Sequence, residues 1–241
     1  LIRRLNTSKG PAVQALRAQC DLREYAAHFT LAVQTQQNLE VHQDIVTAIW
    51  VEKGKIRGVR TKYGFTYEGR TVVLTTGTYL GGKVYIGETS FPSGPLGQVP
   101  ADELPGSLNE HGIHTGRMRT DTTPRLHYDT LDLSSLAVQE SAGEPLAFSL
   151  WNEGKVHEGY SCRLTRSNSR THDIIRKNFH RSPLYMGWMN GSGPRYCPSI
   201  EDKVIRFPEK DSHLLFLEPV SRANREVYIQ NFSTSLPYDV Q

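Results

Sequence analysis

The stretch "IVTAIWVEKGKIRGVRTKYGFTYEGRTVVLTTGT", residues 45–78, decides the fold class. Its first part alternates apolar and polar residues, and Lys53-Gly54 and Tyr63-Gly64 punctuate it. A period of two broken by such dipeptides predicts strand, tight turn, strand, turn and short strand, a small antiparallel meander. Then the pattern changes. Val72, Val73 and Leu74 form an unbroken apolar run, as in a strand covered on both faces of an α/β sheet. The run ends in Thr75-Thr76-Gly77-Thr78. Ligands of open α/β sheets bind at the C-terminal ends of strands, so Thr76, Gly77 and Thr78 are candidate contacts. Many strand–glycine endings are plain turns, and the two readings stand side by side.

Upstream, "LIRRLNTSKG" is basic and polar. Thr7 or Ser8 can cap a helix with Pro11 in its first turn. Val13, Leu16, Cys20, Ala27 and Leu31 then recur at roughly helical spacing, which puts Cys20 on a buried apolar face. Downstream, "ETSFPSGPLGQVP" reads as loop, and residues 112–150 are polar and interrupted by proline, like a domain boundary or an insertion. Residues 161–181, "SCRLTRSNSRTHDIIRKNFHR", are strongly basic, and residues 194–241 return to mixed helix and strand.

The 241 residues suffice for one or two domains with a sizeable core. Lys and Arg number 28 against 25 acids, a net charge of +3 that permits an anionic partner without demanding one. No apolar run is long enough to span a bilayer, and no signal-peptide pattern opens the chain. Three widely spaced cysteines without a C-x-x-C pair argue against a disulfide framework or a structural zinc site, so no metal is expected and a reducing compartment is. The chain opens on Leu1 and ends on "LPYDVQ", and it reads as the middle of a longer polypeptide. The dinucleotide fingerprint G-x-G-x-x-G is absent.

Three groups of residues can carry chemistry. In "GPRYCPSIEDK", Pro198 suits the first turn of a helix, and Ser199 with Asp202 resembles a capping box. That places Cys197 at a helix start, with Arg195 near it, a setting that favours a thiolate. Nucleophile and packed structural cysteine are equally open for Cys197. Cys162 reads as a structural cysteine in an edge strand, and His172 as a packed residue rather than a proton shuttle. In the basic stretch Arg163, Arg166, Arg170, Arg176, Lys177 and Arg181 accompany a single acid, Asp173. Arginine gives bidentate phosphate contacts, and Tyr160, Phe179 and Tyr185 offer stacking faces, so RNA or a cofactor phosphate fits this stretch as well as a solvated face does.

"LNTSKGPAV", "VVLTTGTYLGGK", "THDIIR", "RSPLY", "GPRYCPSIEDKV", "FLEP" and "STSLPYDVQ" occur in this order along the chain. Together they resemble the flavin subunit of the tRNA wobble-uridine 5-carboxymethylaminomethyl modification enzyme, the MnmG/GidA family, over essentially the whole chain. The resemblance implies an α/β fold: an incomplete FAD-binding, doubly wound, glutathione-reductase-like domain with an antiparallel meander and an inserted α+β domain. It implies the FAD domain at 1–119 and 194–241, and an inserted domain associated with NADH and tRNA at 120–193. It implies FAD, NADH and methylenetetrahydrofolate as cofactors, tRNA as substrate, a GTPase partner subunit, a homodimer at full length and a cytoplasmic or organellar setting. Val46 matches a flavin contact. Gly193, Pro194, Arg195, Tyr196, Cys197, Pro198, Ser199, Ile200, Glu201, Asp202, Lys203, Val204, Ile205, Arg206 and Phe207 fall on a nicotinamide-binding segment, and Cys197 on a cysteine of catalytic interest. Two other expectations remain: a folate- and flavin-dependent tRNA uracil-5-methyltransferase, against which "RYCPSIEDK" and the basic insertion argue, and a non-catalytic RNA-binding fragment or remnant.

The sequence departs from the family pattern at Pro95, Ala101, Asp121, Thr123, Val220 and Asn231. Several of these changes remove glycine from tight loops, where another residue strains the backbone.

Overall fold

The computed structural model describes residues 1–149, 151, 154, 161–191, 193 and 198–241. In chain order, β1 (Ile2–Leu5), β2 (Ala15–Ala18) and α1 (Leu22–Gln34) come first. The meander follows as β3 (Val46–Glu52), β4 (Lys55–Thr61) and β5 (Thr66–Glu68), then β6 (Lys83–Ile86), β7 (Thr89–Pro92) and α2 (Leu104–Glu110). The remainder is β8 (Arg125–His127), β9 (Ala137–Gln139), β10 (Cys162–Arg166), α3 (Ser169–Lys177), α4 (Ile200–Arg206), β11 (Leu214–Pro219) and β12 (Glu226–Gln230).

Two compact units share these elements. One comprises Leu1–Leu39, Asp121–Arg176 and Cys197–Thr234, the other Glu40–Thr120, Lys177–Tyr196 and Ser235–Gln241. The first is built on a five-stranded antiparallel sheet in the order β8-β12-β11-β10-β9. On one face Leu215, Leu217, Val227 and Ile229 are buried, and Leu126, Leu131, Leu133, Leu136 and Phe232 close over them. The alternation along β11 and β12 sends these side chains to one face and Glu218 and Tyr228 to the other. Residues 112–150, read as boundary or insertion, thus supply both edge strands of this sheet.

The chain start differs from the expected helix. Ile2 pairs with Ala18 and Leu5 with Ala15 in a β1–β2 hairpin, and Pro11–Val13 is only a short 3-10 turn within the connection. The helix begins at Asp21, whose carboxylate accepts from Arg23 N at 2.9 Å and Glu24 N at 3.1 Å. A carboxylate that satisfies two free amides of the first turn outcompetes the hydroxyls near Pro11. Cys20, expected on a buried face, is exposed just before this cap.

In the second unit the meander stands as expected, β3-β4-β5 antiparallel with turns at Lys53-Gly54 and Tyr63-Gly64. Gly58 explains one constraint: a Cβ there would lie 1.9 Å from the Tyr67 carbonyl of the neighbouring strand. Ile49, Leu104 and Leu108 form its core, with Val46 packed against them. "ETSFPSGPLGQVP" is not all loop, because β7 pairs with β6 from Lys83↔Pro92 to Ile86↔Thr89. The Val72–Leu74 run is no buried strand here: it has no ladder, and Val73 is 83% exposed. Among the described residues every strand ladder is antiparallel, and the one parallel contact is the bridge Leu80↔Ala101. The chain thus mixes helices with antiparallel sheets. An apolar run without strands on its flanks cannot satisfy its backbone in a sheet, which is why this one stays open.

Candidate functional site

The segment from Pro198 to Phe207 keeps its predicted local structure. Ser199 is buried and caps α4, its Oγ accepting from Asp202 N at 3.2 Å. Most of its side chains serve the fold. Ile200 N donates to the Ser233 carbonyl at 2.8 Å, and the Thr234 hydroxyl donates to Glu201 Oε1 at 2.8 Å. Ser199, Ile200, Glu201, Asp202 and Val204 are buried. Lys203 Nζ donates to the Asn231 carbonyl at 2.6 Å, and Arg206 lies 3.9 Å from Asp202. Ile205, Arg206 and Phe207 are exposed. Pro194, Arg195, Tyr196 and Cys197 lie outside the described residues. Gly193 sits tightly: a Cβ would approach Arg119 Nε to 3.0 Å.

In the second unit Val46 is half-buried at the start of β3. Gly77 opens a 3-10 turn with φ +52°, which only glycine takes without cost, and open space surrounds its missing Cβ. Thr76 is half-buried, and Thr78 is exposed with Gly77. The exposed Val73 and Leu74 run directly into this bare backbone.

The basic stretch separates into paired and unpaired cations. Arg163 donates to the Leu136 carbonyl at 3.4 Å, and Arg166 Nε to Ser212 at 3.0 Å. Arg176 pairs with Asp173 at 2.9 Å. Arg181 has acids that the local sequence hides: both oxygens of Asp239 at 2.8 Å, and Glu88 at 3.7 Å. Arg170 and Lys177 are exposed on α3 without an ion pair among the described residues. Phe179 and Tyr185 contact each other with centroids 5.2 Å apart, and Tyr160 lies outside the described residues. His172 is buried beside the Ser167 hydroxyl at 2.8 Å and the His213 ring at 5.3 Å between centroids. Burial, then the neighbouring Arg176 charge, push its pKa below the ordinary histidine value. A histidine so enclosed holds a strand end rather than relaying protons to solvent. Cys162 is buried as well, on an interior strand of the sheet rather than an edge.

The face of the five-stranded sheet away from its apolar core carries a row of functional side chains that no motif announces. Pairing across adjacent strands aligns Gln139 with Cys162, Glu218 with Tyr228, and Tyr228 with Arg125, and the β10–β11 register sets Cys162 beside Glu218. A cavity of about 280 Å³ lies over four of these, Cys162, Glu218, Tyr228 and Arg125, and is closed by Gln19 and Leu22 among others. Glu218 accepts from the Gln19 amide. Gln230, its amide turned to satisfy both neighbours, donates to Glu218 at 2.7 Å and accepts from Arg17 at 3.2 Å. Burial raises the Glu218 pKa to about 7, against the opposing pull of Arg17. Burial, and then the Glu218 charge, raise the Cys162 thiol in turn. Arg125 lies over the Tyr228 ring at 4.5 Å and pairs with Glu226 at 3.1 Å. The available signal was the alternation in "LLFLEP": a glutamate on the face opposite the buried leucines. Among the described residues no group of three histidines, cysteines or acids could hold a metal ion. No described helix is long and apolar enough to cross a membrane.

The family model of glucose inhibited division protein A matches residues 1–241, and the chain belongs to that family. It is 47% identical over 240 residues to the tRNA uridine 5-carboxymethylaminomethyl modification enzyme MnmG of Heliobacterium modesticaldum, covering 100% of this chain and 38% of that protein. The Bacillus subtilis enzyme of the same name gives the same identity and coverage. Among solved structures, Aquifex aeolicus GidA superposes with a TM-score of 0.87 at 40% identity, covering 99% of this chain and 41% of that one. The chain thus spans about two fifths of the length of these relatives.

Proposed function

We propose that this chain forms part of an FAD-dependent enzyme that installs a carboxymethylaminomethyl or aminomethyl group at C5 of the wobble uridine of tRNA. The family match over the full 241 residues, toward relatives named for that modification, carries this reading. When bound, FAD reduced by NADH supplies the electrons that act on a one-carbon unit carried by methylenetetrahydrofolate. On this reading the FAD domain is residues 1–119 and 194–241, with the NADH- and tRNA-associated domain at 120–193.

The residues present suit a flavin in part. Bare backbone at Gly77 between Thr76 and Thr78, continuous with exposed Val73 and Leu74, offers an open apolar surface to a flat ring. A phosphate cradle is a different requirement, and this chain has no glycine fingerprint to supply one. Cys197 is the proposed nucleophile. Because Ser199, Ile200 and Glu201 anchor α4 into the fold, the segment from Gly193 to Pro198 carries the nicotinamide and catalytic contacts on this reading. Arg166, Arg170 and Lys177 are the first choice for RNA phosphates. Arg181, held by Asp239 and Glu88, contributes to RNA binding least. The assembly includes a GTPase partner subunit and a homodimer.

The test is nucleoside mass spectrometry of tRNA from cells that lack their own enzyme, supplied with the complete reading frame that encodes this chain. Restored 5-carboxymethylaminomethyluridine is the expected result. A soluble protein that restores none sinks the reading; 5-methyluridine instead would point to the uracil-5-methyltransferase chemistry.

A further inference from the structure

Where β10 gives way to α3, three side chains form a closed cluster. Ser167 follows the strand, His172 lies in the first turn of the helix, and His213 leads into β11. Ser167 is 4% exposed and His172 1%. The Ser167 amide donates to the His213 carbonyl at 3.0 Å, and the His213 amide donates to Ser167 Oγ at 2.8 Å. That oxygen lies 2.8 Å from His172 Nε2. The Lys210 carbonyl accepts from the other ring nitrogen of His172. A carbonyl can only accept, so this nitrogen, Nδ1, carries the proton of the neutral ring. Nε2 is then an acceptor, and the Ser167 hydroxyl donates to it. With His172 neutral, both of its ring nitrogens and the hydroxyl are satisfied.

One more proton breaks this arrangement. Nε2 becomes a donor, so Ser167 Oγ faces two donors, and its own hydrogen has no acceptor among the described residues. His213 adds to the cost. Its ring centroid is 5.3 Å from that of His172, and its buried Nε2 has no hydrogen-bond partner among the described residues. Two charged rings this close repel, so one opposes the charging of the other. The surrounding charges are mainly positive. Arg176 on α3, Lys210 in the loop before β11, Lys203 on α4 and Arg166 on β10 outnumber Asp173 on α3 and Asp211 in the loop.

We infer that Ser167, His172 and His213 form a proton-operated latch, which holds the start of α3 to the ends of β10 and β11 at neutral pH and releases it in acid. Only His172 and Ile175 of α3 are buried, so little else holds this helix down. The sheet keeps its own core of Leu215, Leu217, Val227 and Ile229, and the opening is therefore local. Arg170 and Arg176 move with the helix. If that helix contacts RNA as proposed above, acid loosens the contact; the latch itself does not rest on that reading.

Burial first, then the Arg176 charge for His172 and the His172 charge for His213, hold both rings below the ordinary 6.5. The open helix binds protons that the closed one refuses. The latch is thus at full strength above about pH 6.5 and weakens as pH falls below it. One ring charging on opening raises the open fraction about 25-fold between pH 7 and 5, and two rings raise it by on the order of several hundredfold.

Hydrogen exchange read by mass spectrometry, on the protein from the complete reading frame, tests this. Protection of the α3 amides, corrected for the intrinsic rate at each pH, should fall at least tenfold from pH 7 to 5, while β11 and β12 keep theirs. H172Q should reduce that fall to threefold or less. Exchange at the imidazole C2 position, followed against pH, should give His172 a pKa below 6.5. Three results would each overturn the latch: α3 protection within twofold between the two pH values, a fall shared equally by β11 and β12, or a full fall persisting in H172Q. If H172Q is already open at pH 7, the wild-type protection and the His172 pKa decide without it.

Discussion

The two faces of the five-stranded sheet use the same strands for opposite ends. One residue along β11 or β12 separates Leu217 from Glu218 and Val227 from Tyr228, yet the first of each pair joins a closed apolar core and the second a polar row beneath a cavity. On the core face each side chain is best replaced by an apolar one of like volume. On the other face, position in the row decides what a residue does. A closed core and an open cavity are thus divided by the period of the strand itself.

The largest effect should come from the closed face. Leu215→Ala leaves a void in a core with little room to collapse, and should cost about 2–4 kcal/mol in a denaturant melt. A loss below about 1 kcal/mol would mean that face is not the stabilising one. At the strand ends, Ser167→Ala removes a hydroxyl that accepts from His213 N at 2.8 Å and contacts His172 at 2.8 Å. About 1–3 kcal/mol should be lost, because both partners are left wanting in a buried place.

On the cavity face the signature is pH rather than size. The Glu218 pKa is raised from 4.5 to about 7 on folding. The folded protein therefore holds a proton that the unfolded chain has released, and stability falls as pH rises from about 4.5 to 7. E218Q should flatten that part of the stability–pH curve; an unchanged slope would locate the dependence elsewhere. Asp21 works in the opposite sense. Backbone hydrogen bonds, that from Arg222 foremost, hold its pKa at about 2, so its contribution is present above about pH 4 and fades between 4 and 2. The smallest effect belongs to the surface: Arg176→Ala breaks an exposed pair with Asp173 and should change stability by no more than about 0.5 kcal/mol. It sharpens the contrast between an exposed ion pair and the enclosed carboxylate of Glu218.

What could be read in the sequence was local. The Lys53-Gly54 and Tyr63-Gly64 turns and the Ser199 cap rest on neighbours a few residues away, and they stand as read. What escaped depends on distant partners. The edge strands β8 and β9 are three residues each and acquire their structure only by pairing with β12 and β10. Val72–Leu74 shows the converse, an apolar run that lacks the neighbours a strand needs. Asn231 stands where the family pattern carries glycine, and its φ of +74° shows that the glycine-like conformation survives. Asparagine tolerates it better than most residues, and its side chain donates to the Leu214 carbonyl at 3.2 Å. The cavity row was illegible because its members come from four strands, and a row exists only once the registers are fixed.

Asp21 has one further consequence. The oxygen that does not cap α1 accepts from Arg222 N at 2.7 Å, across 201 residues of chain. At a synthesis rate of roughly 5–20 residues per second, the start of α1 waits on the order of 10–40 s for that partner to be made. Until then the Asp21 carboxylate ties only its own first turn, and the Val220 carbonyl that takes the Leu22 amide at 3.0 Å is missing as well. The start of α1 and the chain just after β11 are thus completed together, late in synthesis, and one carboxylate ties the two.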